Sequence, residues 1–267
     1  MKTIKSKKVF LLVLSMLILL TLASQCPALF PKEVEAEAKA FDPDKDEALV
    51  AWFSFEGDLS EKTGKFEAAK VIGDKIGKTP KEEKVSFVEG ISGKAVYLDG
   101  ERGISLPEDL VKGYSYTISF WMKADVFTPW TPVFFGAYDV SNWISIPPYH
   151  PGVKGGSYLL WSFSGYWYDG ILDVSFEPGT WYHVAVVVRR GDAAVYVNGK
   201  YTLSKIQING MEDPTGKIAD IFSRKPGGIF TLGVNWWDQP YKGAIDELRI
   251  YSRALTKNEI KILYERR

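Results

Sequence analysis

YKGAIDELRIYSRAL, residues 241–255, reads as a strand whose middle carries two adjacent carboxylates, Asp246 and Glu247. A carboxylate is costly to bury unless a cation or hydrogen-bond donors meet it. Side chains alternate across a strand, so the two acids are expected on opposite faces and cannot both address one bond. On that parity Asp246 shares a face with Leu248 and Ile250, which read as core. Glu247 shares the other face with Arg249, an i,i+2 pair that can neutralise itself.

Working outward, the same short-strand texture fills the chain from Ala48 onward. Candidate strands are 49–56, 94–100, 116–124, 133–138, 157–163, 171–176, 181–190, 193–200, 229–235 and 244–251. Many are β-branched or aromatic with period-two alternation, they are split by Gly, Pro and Asp turns, and no long helical period competes. This pattern predicts an all-β sandwich or barrel in one domain of ~220 residues. One helix is expected, at the C-terminus. Thr256 and Glu259 form a capping box, Leu255 and Ile260 a hydrophobic staple, and Ile260, Leu263 and Tyr264 an apolar stripe for docking on the sandwich.

Taken in order, several segments resemble the laminin-G-like, concanavalin A-like jelly rolls of secreted bacterial proteins. They are LVAWFSFEGD (49–58), ISGKAVYLDG (91–100) with ISLPEDL, YTISFWMKA (116–124), GTWYHVAVVVRRGDAAVYVNGK (179–200) and YKGAIDELRIYSRALTKNEIKILYE (241–265). The resemblance covers most of 48–267. It implies a two-sheet antiparallel jelly-roll sandwich with a short C-terminal helix, a concave ligand face, and often a structural calcium where the first and last strands meet. Asp246 would then be the side-chain ligand, beside Glu56, Gly57 and Asp58, with the Asp99-Gly100 turn completing a set of hard oxygen donors. The alternative is a carboxylate capped by backbone N–H groups.

Members of this family are mostly binding modules, frequently for carbohydrate, although the wider superfamily includes glucanases that carry E-x-D-x-x-E. Glu56-Gly57-Asp58-Leu59-Ser60-Glu61 matches that pattern letter for letter, yet it lies in turn chemistry rather than in a central strand. No catalytic residue is assigned. His183 alternates within a strand and matches the family's structural histidine, and His150 sits in a Pro-rich loop without a partner motif.

Aromatics make up 14% of the chain, and tryptophans in polar loops suit flat ligands better than they suit a core. Sugar recognition needs aromatic faces for stacking and polar groups for hydroxyls. Trp143, Trp167, Trp236 and Trp237 are the candidate platforms, and Asp238, Asn142 and Asp169 the candidate hydrogen-bonding partners. The expected function is non-catalytic polysaccharide binding with a structural calcium. A glycoside hydrolase or polysaccharide lyase would need two convergent carboxylates, for instance Asp169 with Asp173 or Asp238. A surface adhesion or assembly domain binding protein is the third option.

Lys+Arg and Asp+Glu are both 33, and the resulting zero net charge argues against a nucleic-acid partner. Lys2, Lys5, Lys7 and Lys8 precede the apolar run Val9–Leu22, so residues 1–28 read as a signal peptide or membrane anchor, with a lipoprotein signal around Cys26 as a further option. Residues 29–47 read as a charged linker. All these readings place the domain outside the cytoplasm, touching membrane only through a retained leader. Cys26 is the single cysteine, so disulfides and cysteine-based zinc or nucleophile chemistry are excluded from the mature domain.

Overall fold

Alternating apolar runs form strands because each can bury one face against a facing sheet. A computed structural model describes residues 41–153, 158–212, 217–223 and 226–266; the expected leader and most of the expected linker lie outside the described residues. The chain lays down β1 (Leu49–Phe53), β2 (Lys70–Ile72), β3 (Ser86–Glu89), β4 (Lys94–Asp99), β5 (Gly103–Leu106) and β6 (Ser115–Ala124). Next come β7 (Phe134–Asp139), β8 (Asn142–Ile146), β9 (Tyr158–Ser164), β10 (Trp167–Leu172), β11 (Tyr182–Arg189) and β12 (Asp192–Val197). The set closes with β13 (Lys200–Tyr201), β14 (Leu203–Ile208), β15 (Met211–Glu212), β16 (Ile229–Leu232), β17 (Lys242–Tyr251) and the helix α1 (Lys257–Glu265).

These strands make two antiparallel sheets, one of eight strands in the order β13-β12-β11-β6-β17-β4-β3 with β1 also on β17, the other of nine in the order β15-β14-β10-β9-β8-β7-β16-β5-β2. The main core fills the space between them, with Ile118, Phe120, Val184, Val186 and Ile245 from the first sheet meeting Phe134, Ile144, Leu160 and Phe230 from the second. This is the jelly-roll sandwich expected from the sequence. The strand expected at 171–176 is displaced: the ladder runs Trp167–Leu172, because the left-handed Gly165 turns β9 straight into β10.

The parity argument for Asp246 and Glu247 fails at one residue. Asp246 pairs with Trp121 and Arg249 with Ser119, so β17 carries one extra residue against β6, Glu247 and Leu248 standing opposite Phe120 alone. Glu247 takes up the irregularity with a left-handed φ of 52°. Ile245, Leu248 and Ile250 consequently face the core, while Asp246 lies with Trp121 on the outer face of the sheet instead of beside Leu248. The expected pairing of Glu247 with Arg249 does form.

Outside the first sheet, α1 and the segment before β1 cover what would be a second apolar surface. Ala185, Val187 and Tyr251 bury themselves there against Leu255, Ile260 and Leu263. Residues 41–47, read from the sequence as the end of a linker, are part of this packing. Phe41 meets the Tyr251 ring at 6.2 Å, and the Tyr251 hydroxyl donates to the Pro43 carbonyl at 3.1 Å. Asp44 pairs with Arg249 and Arg266, and Asp46 with Arg253. A charge-rich composition therefore conceals a strap in which alternate aspartates match arginines far away in sequence.

The expected capping box is present, Thr256 accepting the Glu259 N–H at 3.3 Å and Glu259 accepting the Thr256 N–H at 2.7 Å. Thr256→Ala is expected to cost about 1 kcal/mol and lower the melting temperature by about 3 °C. Thr256→Ser should retain native melting; an equal loss in both variants would locate the effect elsewhere.

Candidate functional site

The outer face of the second sheet carries the aromatic excess. Its register sets Ala137, Trp143, Phe163 and Trp167 side by side across β7, β8, β9 and β10. Trp143 is the hub, within 5.9 Å of the Phe135, Phe163, Trp167 and Trp237 ring centroids. At 2% exposure it is a floor, whereas Trp167 and Trp237 stand 41% and 49% exposed. With Trp130, Val140, Phe163 and Asp238 they enclose a cleft of about 500 Å³. A second depression of about 420 Å³ adjoins it, sharing Trp130 and Trp167 and adding His150, Asp169, Asn209 and Gly210.

Local hydrogen bonds fix these groups. Buried Asn235 organises the loop after β16, its Oδ1 accepting the Trp237 and Asp238 N–H groups at 2.8 Å and its amide donating to Asp238 Oδ2 at 2.7 Å. Burial pushes the Asp238 carboxyl above its ordinary value, with the Asn235 bond and Lys75 acting the other way. Asn209 clamps Trp167 twice, donating its N–H to the Trp167 carbonyl at 2.9 Å and accepting the Trp167 N–H on Oδ1 at 3.1 Å. His150 Nδ1 accepts the Gly152 N–H at 2.9 Å, so the neutral ring carries its proton on Nε2.

Of the residues singled out from the sequence, Trp143, Trp167, Trp237 and Asp238 converge on the first depression and Asp169 lines the second. Trp236 supports from behind, edge-on to Phe135 at 5.4 Å. Asn142 does not point into the cleft: its amide donates to Asp139 and accepts from Ser164. Asp173 is exposed just beyond β10 and lines neither depression. Sequence reasoning missed Trp130, His150 and Asn209 as lining residues. A tryptophan bracketed by Pro129 and Pro132 cannot belong to a strand interior, which was a usable signal.

At the seam between the chain ends, β4 covers the first half of β17 and β1 the second, so the irregularity at Glu247 falls where they meet. Asp246 is fully buried, and its Oδ2 accepts the N–H groups of Ile91 and Ser92 at 2.8 and 3.3 Å. Its Oδ1 has no hydrogen-bond partner among the described residues. Burial pushes this carboxyl up to about 7. Glu56 engages the same β3–β4 turn through the Lys94 N–H at 3.0 Å. That turn also needs glycine: a Cβ on Gly90 would come within 2.5 Å of Asp246 Oδ2.

The other expected metal ligands disperse. Gly57 and Asp58 are exposed, and Asp58 is engaged by the Ser60 N–H at 2.8 Å. Gly100 follows Asp99, which pairs with Lys242, about 13 Å along the strand from Asp246. Among the described residues no three acidic or imidazole side chains gather as a metal site. The unpartnered Oδ1 fits a cation, which would have to take further oxygens from backbone carbonyls. Glu61, last acid of the glucanase-like pattern, is buried and accepts the N–H groups of Trp52, Thr63 and Lys65, a structural role.

The chain is 38% identical to domain 4 of AbnA, a GH43 extracellular arabinanase from Geobacillus stearothermophilus, whose structure was solved in complex with arabinotriose. That likeness covers 81% of this chain and 98% of the domain, with a TM-score of 0.70. A sialidase from Trypanosoma rangeli, solved with the inhibitor DANA, shares the fold alone, at 14% identity and TM-score 0.50 over 98% of this chain and 39% of the sialidase. A comparison with curated proteins finds no match. The laminin-G-type model of the Concanavalin A-like lectin/glucanases superfamily matches residues 98–208 and 201–261. Two stacked antiparallel sheets, the closing β17 and these matches agree: this chain belongs to the Concanavalin A-like lectin/glucanases superfamily.

Proposed function

We propose that the protein is a non-catalytic carbohydrate-binding module that holds a polysaccharide in the cleft on its second sheet. The observation that carries this reading is the pair of exposed tryptophans, Trp167 and Trp237, set over an aromatic floor beside the fixed Asp238 carboxylate. Exposed apolar patches of this kind mark binding sites. Aromatic faces accept the C–H faces of sugars, and a carboxylate held by Asn235 presents acceptors to hydroxyls. The arabinotriose complex of the similar arabinanase domain makes arabinan the first polymer to try.

Trp167→Ala and Trp237→Ala are each expected to weaken binding at least about tenfold. Asp173→Ala, outside the cleft, should bind as the native protein does. Affinity electrophoresis in arabinan, with a reducing-sugar assay alongside, reads both outcomes. Release of reducing sugar that disappears in Asp238→Asn would replace this reading with a glycoside hydrolase.

The seam at Asp246 is proposed to take a structural calcium, with Asp246 Oδ1 and Glu56 as side-chain oxygens and backbone carbonyls completing the shell. Such an ion would neutralise the buried carboxylate and tie the first and last strands. Saturating calcium should then raise the melting temperature of chelator-treated protein by roughly 5–10 °C. Asp246→Ala should not respond to calcium. A native protein that melts identically with calcium and with chelator would count against the ion.

We further propose that the domain works outside the cytoplasm, carried there by residues 1–28. No helix among the described residues is long and apolar enough to cross a membrane.

A further inference from the structure

Trp143 lies on β8 at the bottom of the cleft, and the sheet order places Phe163 and Trp167 on one side of it and Phe135 on the other. Trp237, from the loop after β16, joins the Phe135 side, edge-on to that ring at 6.3 Å. The two exposed tryptophans therefore flank the floor, their ring centroids 5.6 and 5.5 Å from that of Trp143. Neither lies level with it: the Trp167 plane stands at 73° to the Trp143 plane, and the Trp237 plane at 50°. Because these angles differ, the two exposed rings are not parallel and do not form one flat platform. Their tilts are braced from behind. Phe163 backs Trp167 at 4.7 Å, and Asn209 holds the Trp167 backbone with two hydrogen bonds. Trp236 backs Trp237 at 5.3 Å, and the Asn235 side chain holds its N–H.

We infer that the cleft clasps a single solvated glycan chain, with Trp167 and Trp237 against opposite sides of the sugar seated over Trp143, and does not adsorb to the flat face of a crystalline polymer. This inference rests on the carbohydrate-binding reading and adds to it the physical form of the ligand. Sugars stack through their C–H faces. A free chain exposes both faces of each unit, whereas a unit in a crystal face has one of them covered by the layer beneath. A flat face would also lie across the two exposed rims and leave the apolar lining of a hollow of about 500 Å³ in water. A chain that enters the hollow buries that lining and meets rings already set in place, so little side-chain ordering opposes binding.

Proton NMR of hexasaccharides from arabinan, xylan and cellulose, each titrated with the full-length protein, tests this. In the series that binds, tryptophan ring currents should shift protons on both faces of one sugar unit. With Trp167→Leu, at ligand concentrations that saturate the variant, the shifts on one face should vanish and those on the other persist. Adsorption to the crystallised linear polymer of the same series should be at least about tenfold weaker, per exposed sugar, than binding to its dissolved chains. Shifts confined to one face of every bound unit, or a crystalline polymer bound as well as the dissolved chain, would overturn the inference and leave carbohydrate binding standing. If no glycan binds in either form, both readings fall together.

Discussion

Arg249→Ala is expected to melt about 10 °C below the native protein. The Arg249 guanidinium is almost wholly buried, paired with Glu247 and with Asp44 at 3.0 Å, and it lies 4.4 Å from the centre of the Trp52 ring. Two long-range connections meet there, since Glu247 occupies the strand irregularity and Asp44 belongs to the strap. Removing the cation leaves the Glu247 carboxylate buried and uncompensated. That penalty is about 3–5 kcal/mol, and a domain of this size loses about 2–4 °C per kcal/mol. Glu247→Leu combined with Arg249→Met should recover most of the loss, because it removes both charges and fills the same space. A single variant melting within about 2 °C of native would show that the cluster contributes little.

The second large effect is a loss of stability in acid that belongs to one histidine. His183 is buried between Trp121 and Tyr264, and its Nε2 is 2.9 Å from the Ser119 hydroxyl. Burial, with Arg249 adding to it, pushes its pKa down from 6.5 to about 3. The unfolded chain therefore takes up a proton near pH 6.5 that the folded chain refuses until about pH 3. This contribution to stability is complete above about pH 6.5 and is lost as the pH falls towards 3. The slope is about 1.4 kcal/mol per pH unit, so the accumulated loss is several kcal/mol. His183→Gln can still bond Ser119 but cannot titrate. Denaturant unfolding across that range should give a shallower acid limb for the variant; parallel curves would exclude the histidine as the source.

The jelly roll was legible because its evidence is local and repeated. Val184, Val186 and Val188 alternate into the core, and Thr256 with Glu259 announces the helix. What the sequence hid depends on single backbone states or distant partners. One left-handed residue, Glu247, cancels the parity rule for its neighbours, and nothing in IDEL marks it. Asp42, Asp44 and Asp46 look like linker charge until Arg249, Arg253 and Arg266 are brought to them by folding. The cleft was half legible. Trp167, Trp237 and Asp238 announce themselves by sitting in polar turns. Asn142 was indistinguishable from them, because its commitment to Asp139 and Ser164 appears only in three dimensions. Trp143, chosen as a platform, proves to be the floor beneath one.

The strap bears on how the domain can be mounted. Phe41 and α1 both rest on the outside of the first sheet, whereas the cleft opens on the outside of the second. The described chain thus begins and ends on the face of the sandwich away from Trp167 and Trp237 of the cleft. A tether, a neighbouring module or a solid support attached at either end would leave the cleft facing outward, so the domain can be joined to other parts without obstructing its own site.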